Sequence, residues 1–286
     1  MILVDYSNHH GHTIARASLW PRLPSGHLDC ITDQMEPTVL LAHVADLARR
    51  AGAAILAIRA RGFDVVAKSD KTPVTAADHA AEAVIVEALR SLTPDIPVVA
   101  EEEVAAGRIT PAAAAYWLVD PLDGTREFAA GRDEFTVNIG LVREGKPVLG
   151  VVGVPAYGEM FGGTVGQYAW KRTSAGETRI HTRAAPRDGL AVLASRSHVN
   201  DERLQKYLKG RFIASVTNIG SGLKFCRLAE GAADLYPRFG RTMEWDTAAP
   251  QAVLEAAGGS VTLFDGSPLT YGKPDWVNPP FVCCGQ

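Results

Sequence analysis

The chain reads as a mixed α/β protein built from layered helices and sheets. Stretches with an apolar residue every three or four positions alternate with short apolar runs of strand length. Tight turns join some neighbouring strands while helices separate others, so hairpins and crossovers both occur. At 286 residues, 47% apolar and 21% charged, the chain can bury one large core or two moderate ones.

Residues 1–35 stand apart. They hold His9, His10, His12 and His27, half of the eight histidines, and show no sustained periodicity. N-H-H-G-H carries metal-ligating side chains, but a poorly ordered N-terminal extension accounts for it. Met35, before E-P-T, reads as an alternative start. From Pro37 the pattern becomes regular. Leu40, Val44, Leu47, Ala51, Ile55 and Ile58 recur at helical spacing. A second helix runs from Thr75 to Leu92, with Ala81, Ile85, Leu89 and Leu92 on one stripe. P-V-V-A (97–100) and A-Y-W-L-V (115–119) are short strands. Phe135, Val137, Ile139 and Leu141 alternate, and R-E-G-K-P turns the chain into V-L-G-V-V-G-V. A Gly-rich hairpin region (158–170) follows, then L-A-V-L-A-S as a strand and D-E-R-L-Q-K-Y-L as a helix. F-I-A-S-V-T leads through G-S-G into a helix that ends near Glu230. L-Y-P-R-F is a strand, T-A-A-P-Q-A-V-L-E-A-A a helix, and V-T-L-F and F-V-C-C close the chain. The expected division is 36–155, an α+β part bearing most of the acids, and 156–286, an α/β part, with the active site in the cleft between them.

The formal net charge of −3 supplies no global basic field, so a nucleic-acid polymer is not an expected partner. No apolar run approaches the ~20 residues that span a bilayer. Cys30, Cys226, Cys283 and Cys284 form no C-x-x-C pattern, which argues against a disulfide framework or a zinc site. The expected compartment is the cytoplasm, with peripheral attachment at the inner face of the cell membrane as the alternative. A monomer and a homodimer are both compatible with the sequence.

Four junctions carry acids where an apolar strand ends or a helix begins. W-L-V-D-P-L-D-G-T-R-E-F leaves a strand at Asp120. Pro121 breaks the ladder, and Asp120 and Asp123 can face one point with the Leu122 carbonyl between them. Gly124 allows a sharp turn and Thr125 adds a hydroxyl. Alone, this is also what an Asx turn looks like. V-V-A-E-E-E places Glu101 after another strand, with Glu103 read as solvated. M-E-W-D-T-A-A places Asp246 before a helix, where an N-cap is the alternative. T-A-A-D, Thr75 to Asp78, has capping-box spacing. Together these acids suit a hard cation such as Mg²⁺, which takes oxygen ligands. Without a cation they would repel one another. G-S-G-L-K opens a helix whose free N–H groups favour a phosphate; Ser221 adds a donor and Lys224 a charge, while Arg238 can grip a second phosphate. A flexible turn with solvated charges is the alternative there.

W-L-V-D-P-L-D-G-T-R-E-F and E-W-D-T-A-A-P-Q-A-V-L-E-A-A-G-G resemble the two signatures of the inositol monophosphatase superfamily, and V-V-A-E-E-E resembles its metal-binding Glu segment. The resemblance runs from about Val39 to the C-terminus. It implies an αβαβα sandwich and a phosphatase with two or three Mg²⁺ ions. Glu101, Asp120, the Leu122 carbonyl and Thr125 are implied as ligands of one ion, and Asp120, Asp123 and Asp246 as ligands of the second. Glu101 is also implied as a ligand of a looser third, and Thr125 and Asp78 are implied as the pair that activates water. F-T-V-N-I, S-R-S-H and I-G-S-G-L-K-F-C-R-L-A-E-G-A-A-D-L-Y-P-R-F-G resemble the branch acting on nucleoside bisphosphates. That implies a substrate pocket of Gly124, Thr125, Ser195, His198, Ser221, Lys224, Arg238 and Asp246. The implied substrate is a small phosphorylated molecule, adenosine 3′,5′-bisphosphate, with an inositol monophosphate or another sugar phosphate as the alternative. Pro250 is expected in the first turn of its helix.

Overall fold

Pro37 takes the first position of helix α1 (Pro37–Arg61), where its missing N–H leaves no bond unmade. Leu40, Val44, Ala48, Ala51 and Ile55 form the buried face. The structure, a computed structural model, describes residues 36–67, 73–108, 110–111, 113–196 and 201–286. The leader with its histidines, and His198, lie outside them. Helix α2 (Ala76–Leu92) starts with a working capping box. The Ala77 N–H donates to Thr75 Oγ1 at 3.1 Å, and the Thr75 N–H donates to Asp78 Oδ2 at 2.7 Å. Ala81, Ile85 and Leu89 are buried as the stripe requires. Before it, β1 (Val65–Ala67) and β2 (Pro73–Thr75) pair antiparallel.

The main sheet has seven strands in chain order: β3 (Val98–Ala100), β4 (Ala115–Asp123), β5 (Thr136–Arg143), β6 (Lys146–Val154), β7 (Glu159–Thr164), β8 (Tyr168–Thr173) and β9 (Gly176–Ile180). Only β3 and β4 run parallel; every later neighbour is a hairpin partner. Because hairpins keep adding strands, β7 to β9 complete this sheet from beyond residue 155. The sheet therefore crosses the division expected there. A second sheet has the order β11 (Ile213–Ile219), β10 (Leu190–Ser195), β12 (Leu235–Arg238), β16 (Phe281–Cys284), β14 (Ser260–Leu263). The short strands β13 (Thr242–Met243) and β15 (Val277–Asn278) form a separate pair.

The helices separate these sheets into five layers. α1 and α2 cover one face of the large sheet. α6 (Leu223–Ala229) and α7 (Glu244–Ala256) fill the space between the two sheets. The short helix α5 (Glu202–Leu208) packs its Tyr207 and Leu208 on Val192, Leu235 and Val282 of the small sheet. This is the αβαβα sandwich. Side chains alternate across β5. Gly153, paired with Val137, lies against Ala48 of α1. Gly140, of opposite parity, lies against α7 on the other face. A Cβ on Gly140 would sit 2.7 Å from the Ala249 nitrogen, and one on Gly150 would collide with the Ala249 carbonyl. Bare backbone at these positions lets α7 rest directly on the sheet. Trp117, fully buried in β4, donates its indole N–H to Thr93 Oγ1 at 2.9 Å. Losing such a side chain costs about 3–5 kcal/mol.

Candidate active site

Two acids three residues apart on a regular strand point to opposite faces. Asp120 and Asp123 do not, because β4 carries a bulge between them. Asp120 pairs with Asn138 and Asp123 with Thr136, so three steps on β4 oppose two on β5. The extra residue lies in the Pro121–Leu122 segment, and it brings both carboxylates to the face that also presents Thr136 and Asn138. The strand accordingly runs to Asp123, beyond the end expected at Asp120. Gly124 then turns the chain with φ 93°, which only glycine adopts without strain. Helix α4 (Thr125–Ala129) follows.

Glu101 opens the short helix α3 (Glu101–Ala105) directly after β3. Since β3 and β4 are parallel, with Ala100 opposite Val119, Glu101 and Asp120 leave neighbouring strand ends together. Asp246 arrives from the far end of the chain. It occupies the third position of α7 and not the N-cap, because α7 starts at Glu244. Its carboxylate takes the Met243 N–H at 2.9 Å. The helix entry is fixed by Glu244, fully buried, which accepts the N–H groups of Gly272 and Lys273, each at 2.9 Å, and pairs with Lys273 Nζ at 2.6 Å. Oxygens of Glu101, Asp120 and Asp246 lie within 4.8 Å of one another. Burial, then Asp123 and Glu101, push the Asp246 carboxyl well above the usual carboxylate range. Acids crowded in this way, all oxygen donors, fit a divalent hard cation.

Asp123 gathers three hydrogen bonds on one oxygen, whereas Asp78 divides its two oxygens between tasks. Asp123 Oδ2 accepts the Gly222 N–H at 2.5 Å, Asn138 Nδ2 at 3.3 Å and the Thr136 hydroxyl at 3.4 Å. Burial raises its pKa; Lys224 and the Gly222 N–H oppose the rise. Asp78 Oδ2 caps α2 through the Thr75 N–H and, at 2.8 Å, the Thr75 hydroxyl. Asp78 Oδ1 lies 3.1 Å from Thr125 Oγ1. Capping and contact with Thr125 therefore coexist. Thr125 Oγ1 is also 3.1 Å from the Leu122 carbonyl, so its single proton serves one acceptor at a time.

The G-S-G turn abuts these acids through the Gly222–Asp123 bond, with Ser221 held at φ 50°. Lys224 is 4% exposed and donates to the Ile219 carbonyl at 3.1 Å and the Ser221 carbonyl at 2.6 Å, its ammonium 5.2 Å from the Tyr236 ring centre. Burial, then Arg238, lower its pKa to about 8. Arg238 reaches the Gly240 and Arg241 carbonyls at 3.2 and 3.0 Å. Both cations face one cavity of about 660 Å³ with Glu101, Asp120, Asp123, Asp246, Thr125, Ser195 and Ser221. Residues from both sides of position 155 line it.

Some residues differ from expectation. Glu103 is not solvated: it is 11% exposed and gripped by Arg90 at 3.0 and 2.7 Å and by Arg108 at 2.8 Å. Pro250 is not in the first turn of α7 but in its interior, where its ring abuts Gly222. Arg126 and Arg241 also line the cavity, and Glu82 sits behind Glu102, accepting its N–H at 2.8 Å. None of these three carries a sequence signal of its own. Thr136 and Asn138 do: they are polar residues at every second place in an otherwise apolar strand.

A capping-box acid beside a bulged strand end, three converging carboxylates and an αβαβα sandwich define a phosphatase-like class of metal-assisted hydrolase site. Residues 36–280 match the inositol monophosphatase family, and the chain belongs to it. Among the proteins it is most similar to is the 3′(2′),5′-bisphosphate nucleotidase CysQ of Escherichia coli O157:H7. The two are 49% identical over 245 residues, 85% of this chain and 98% of that protein. CysQ of Buchnera aphidicola is 40% identical over 84% of this chain and 90% of its own. The crystal structure of CysQ from Bacteroides thetaiotaomicron superposes with a TM-score of 0.73 at 35% identity, covering 86% of this chain and 97% of that one.

Proposed function

We propose that the chain is a Mg²⁺-dependent 3′(2′),5′-bisphosphate nucleotidase that converts adenosine 3′,5′-bisphosphate to AMP and phosphate. One observation carries this reading: one cavity is lined both by a cluster of carboxylates and by two cations, Lys224 and Arg238. A substrate with two phosphates can place one at each. An inositol monophosphate has nothing for the second. The names borne by the relatives support the same choice.

Glu101, Asp120, the Leu122 carbonyl and Thr125 would hold one ion. Asp120, Asp123 and Asp246 would hold the second, and Glu101 a looser third. Bound Mg²⁺ supplies acidity to water and offsets charge on the transferred phosphoryl group. The chain's own residues do the rest. Thr125 Oγ1 orients the attacking water and takes its proton while passing its own to Asp78 Oδ1. The new oxygen–phosphorus bond forms as the bond to ribose O3′ breaks; O3′ takes a proton from water, and the hydroxide so formed is neutralised by the proton that Asp78 gives back. Lys224, Arg238, Ser221, Gly124, Ser195 and His198 receive the remainder of the nucleotide. The reaction is assigned to the cytoplasm.

Steady-state rates with Mg²⁺ on adenosine 3′,5′-bisphosphate, inositol 1-phosphate and fructose 1,6-bisphosphate test the reading. The bisphosphate nucleotide should have the highest kcat/KM. A preference for either sugar phosphate overturns it.

A further inference from the structure

We propose that Glu134 is a positioning residue: it seats the Gly220–Gly222 turn against the Asp120–Thr125 segment and thereby sets the preference for substrates with a second phosphate. The inference rests on the nucleotidase reading above. Glu134 lies in the connection between α4 and β5, outside every motif of the site. Its carboxylate takes Arg196 in a fork, with Nη2 at 2.5 and 2.7 Å and Nε at 3.1 Å. The same carboxylate accepts the Gly220 N–H at 3.1 Å. Arg196 follows directly on Ser195, the last residue of β10. One side chain thus ties the α4–β5 connection to the end of β10 and to the turn.

The main chain of Glu134 is wedged into the same seam. A Cβ on Gly220 would lie 2.9 Å from the Glu134 carbonyl oxygen, and a Cβ on Gly124 would lie 3.0 Å from it. At the other end of the turn the Gly222 N–H is held by Asp123. Between these anchors Ser221 keeps its left-handed backbone, a conformation that persists only when its surroundings enforce it. Lys224 secures the carbonyls of the turn and the two acids secure its N–H groups. With Glu134 at 18% and Arg196 at 34% side-chain exposure, the fork is shielded enough to hold its geometry. The residues at the reacting phosphate meet this turn at its far end, where Asp123 holds the Gly222 N–H, and do not depend on the Gly220 end. The second phosphate, met by Ser221, Lys224 and Arg238, does depend on it.

The test compares wild type with Glu134→Ala, Glu134→Gln and Arg196→Met on adenosine 3′,5′-bisphosphate and inositol 1-phosphate, with thermal melts alongside. In Glu134→Ala the ratio of kcat/KM for the bisphosphate over the monophosphate should fall about tenfold, mostly through KM of the bisphosphate, as expected for one charge-assisted hydrogen bond. Glu134→Gln should recover part of it, since its amide oxygen still accepts the Gly220 N–H. Arg196→Met gives the same readout if the alanine variant does not fold. Equal losses on both substrates, or an unchanged ratio in a wild type that prefers the bisphosphate, overturn the inference alone. A wild type that ignores the bisphosphate overturns the nucleotidase reading, and this inference with it.

Discussion

Replacing Asp78 by asparagine separates two tasks that one carboxylate performs. Oδ2 caps α2 through the Thr75 N–H at 2.7 Å and the Thr75 hydroxyl at 2.8 Å; Oδ1 faces Thr125 Oγ1 at 3.1 Å. Asparagine keeps one oxygen, which stays on Thr75, so the cap survives. Losing the negative end of the box should cost about 0.5–1 kcal/mol, a fall in Tm of roughly 1–4 °C in a domain of this size. The other atom becomes an NH₂ group. It offers protons to Thr125 where the carboxylate accepted one, and the Thr125 proton turns to the Leu122 carbonyl, also 3.1 Å away. With no acceptor left for the proton of the attacking water, kcat should drop by about 10²–10⁴, or roughly 3–5 kcal/mol of barrier. Asp78→Ala should lose as much activity and destabilise the fold further, by about 1–2 kcal/mol. Phosphate release at saturating Mg²⁺ and nucleotide, with melting curves on the same samples, checks both numbers. An asparagine variant within about threefold of wild-type kcat refutes the proton role of Asp78.

Two further outcomes concern stability. Burial raises the pKa of Glu82 from 4.5 to about 7, although the Glu102 N–H opposes the shift. Its folded pKa lies above the unfolded one, so stability is fully present below the unfolded pKa and is lost as pH rises through the folded value. Glu82→Gln keeps an oxygen for Glu102; it should leave Tm near pH 4.5 unchanged and raise stability above about pH 7 by at most about 3 kcal/mol. A variant with the wild-type pH dependence counts against a buried Glu82 charge. The second outcome is metal-linked: the carboxylates meet only in the folded chain, so Mg²⁺ at about one hundred times its Kd should add about 2.7 kcal/mol of stability. A melting curve that ignores Mg²⁺, or its removal by a chelator, contradicts the cation site.

The parts of this site that the sequence reveals are those written locally. Thr75 and Asp78 are three residues apart on one helix turn, and capping is a property of that spacing. Asp120 and Asp123 bracket a proline, which reads as a strand end; the bulge that turns both acids one way keeps it inside the strand. What stays hidden depends on contacts far along the chain. Glu103 follows two other acids at a helix start and looks solvated; only the folded chain brings Arg90 and Arg108 to it. Asp246 looks like an N-cap because T-A-A-P reads as the helix; the buried anchor of Glu244 on residues 272 and 273 begins the helix three residues earlier. Glu134 and Arg196 are 62 positions apart, and nothing in either segment announces the other. Lys224 reads as a free charge, and its commitment to two carbonyls of its own turn depends on a side-chain rotamer.

Main chain lies on main chain where α7 crosses Gly140 and Gly150. The height of Asp246 above the other acids is consequently set by peptide geometry, which drifts far less than the fit of interchangeable aliphatic groups. Exchanges among valine, isoleucine and leucine elsewhere in the interior can accumulate over a lineage without disturbing the spacing of the three charges. One added methyl under the helix would shift Asp246 relative to the other two.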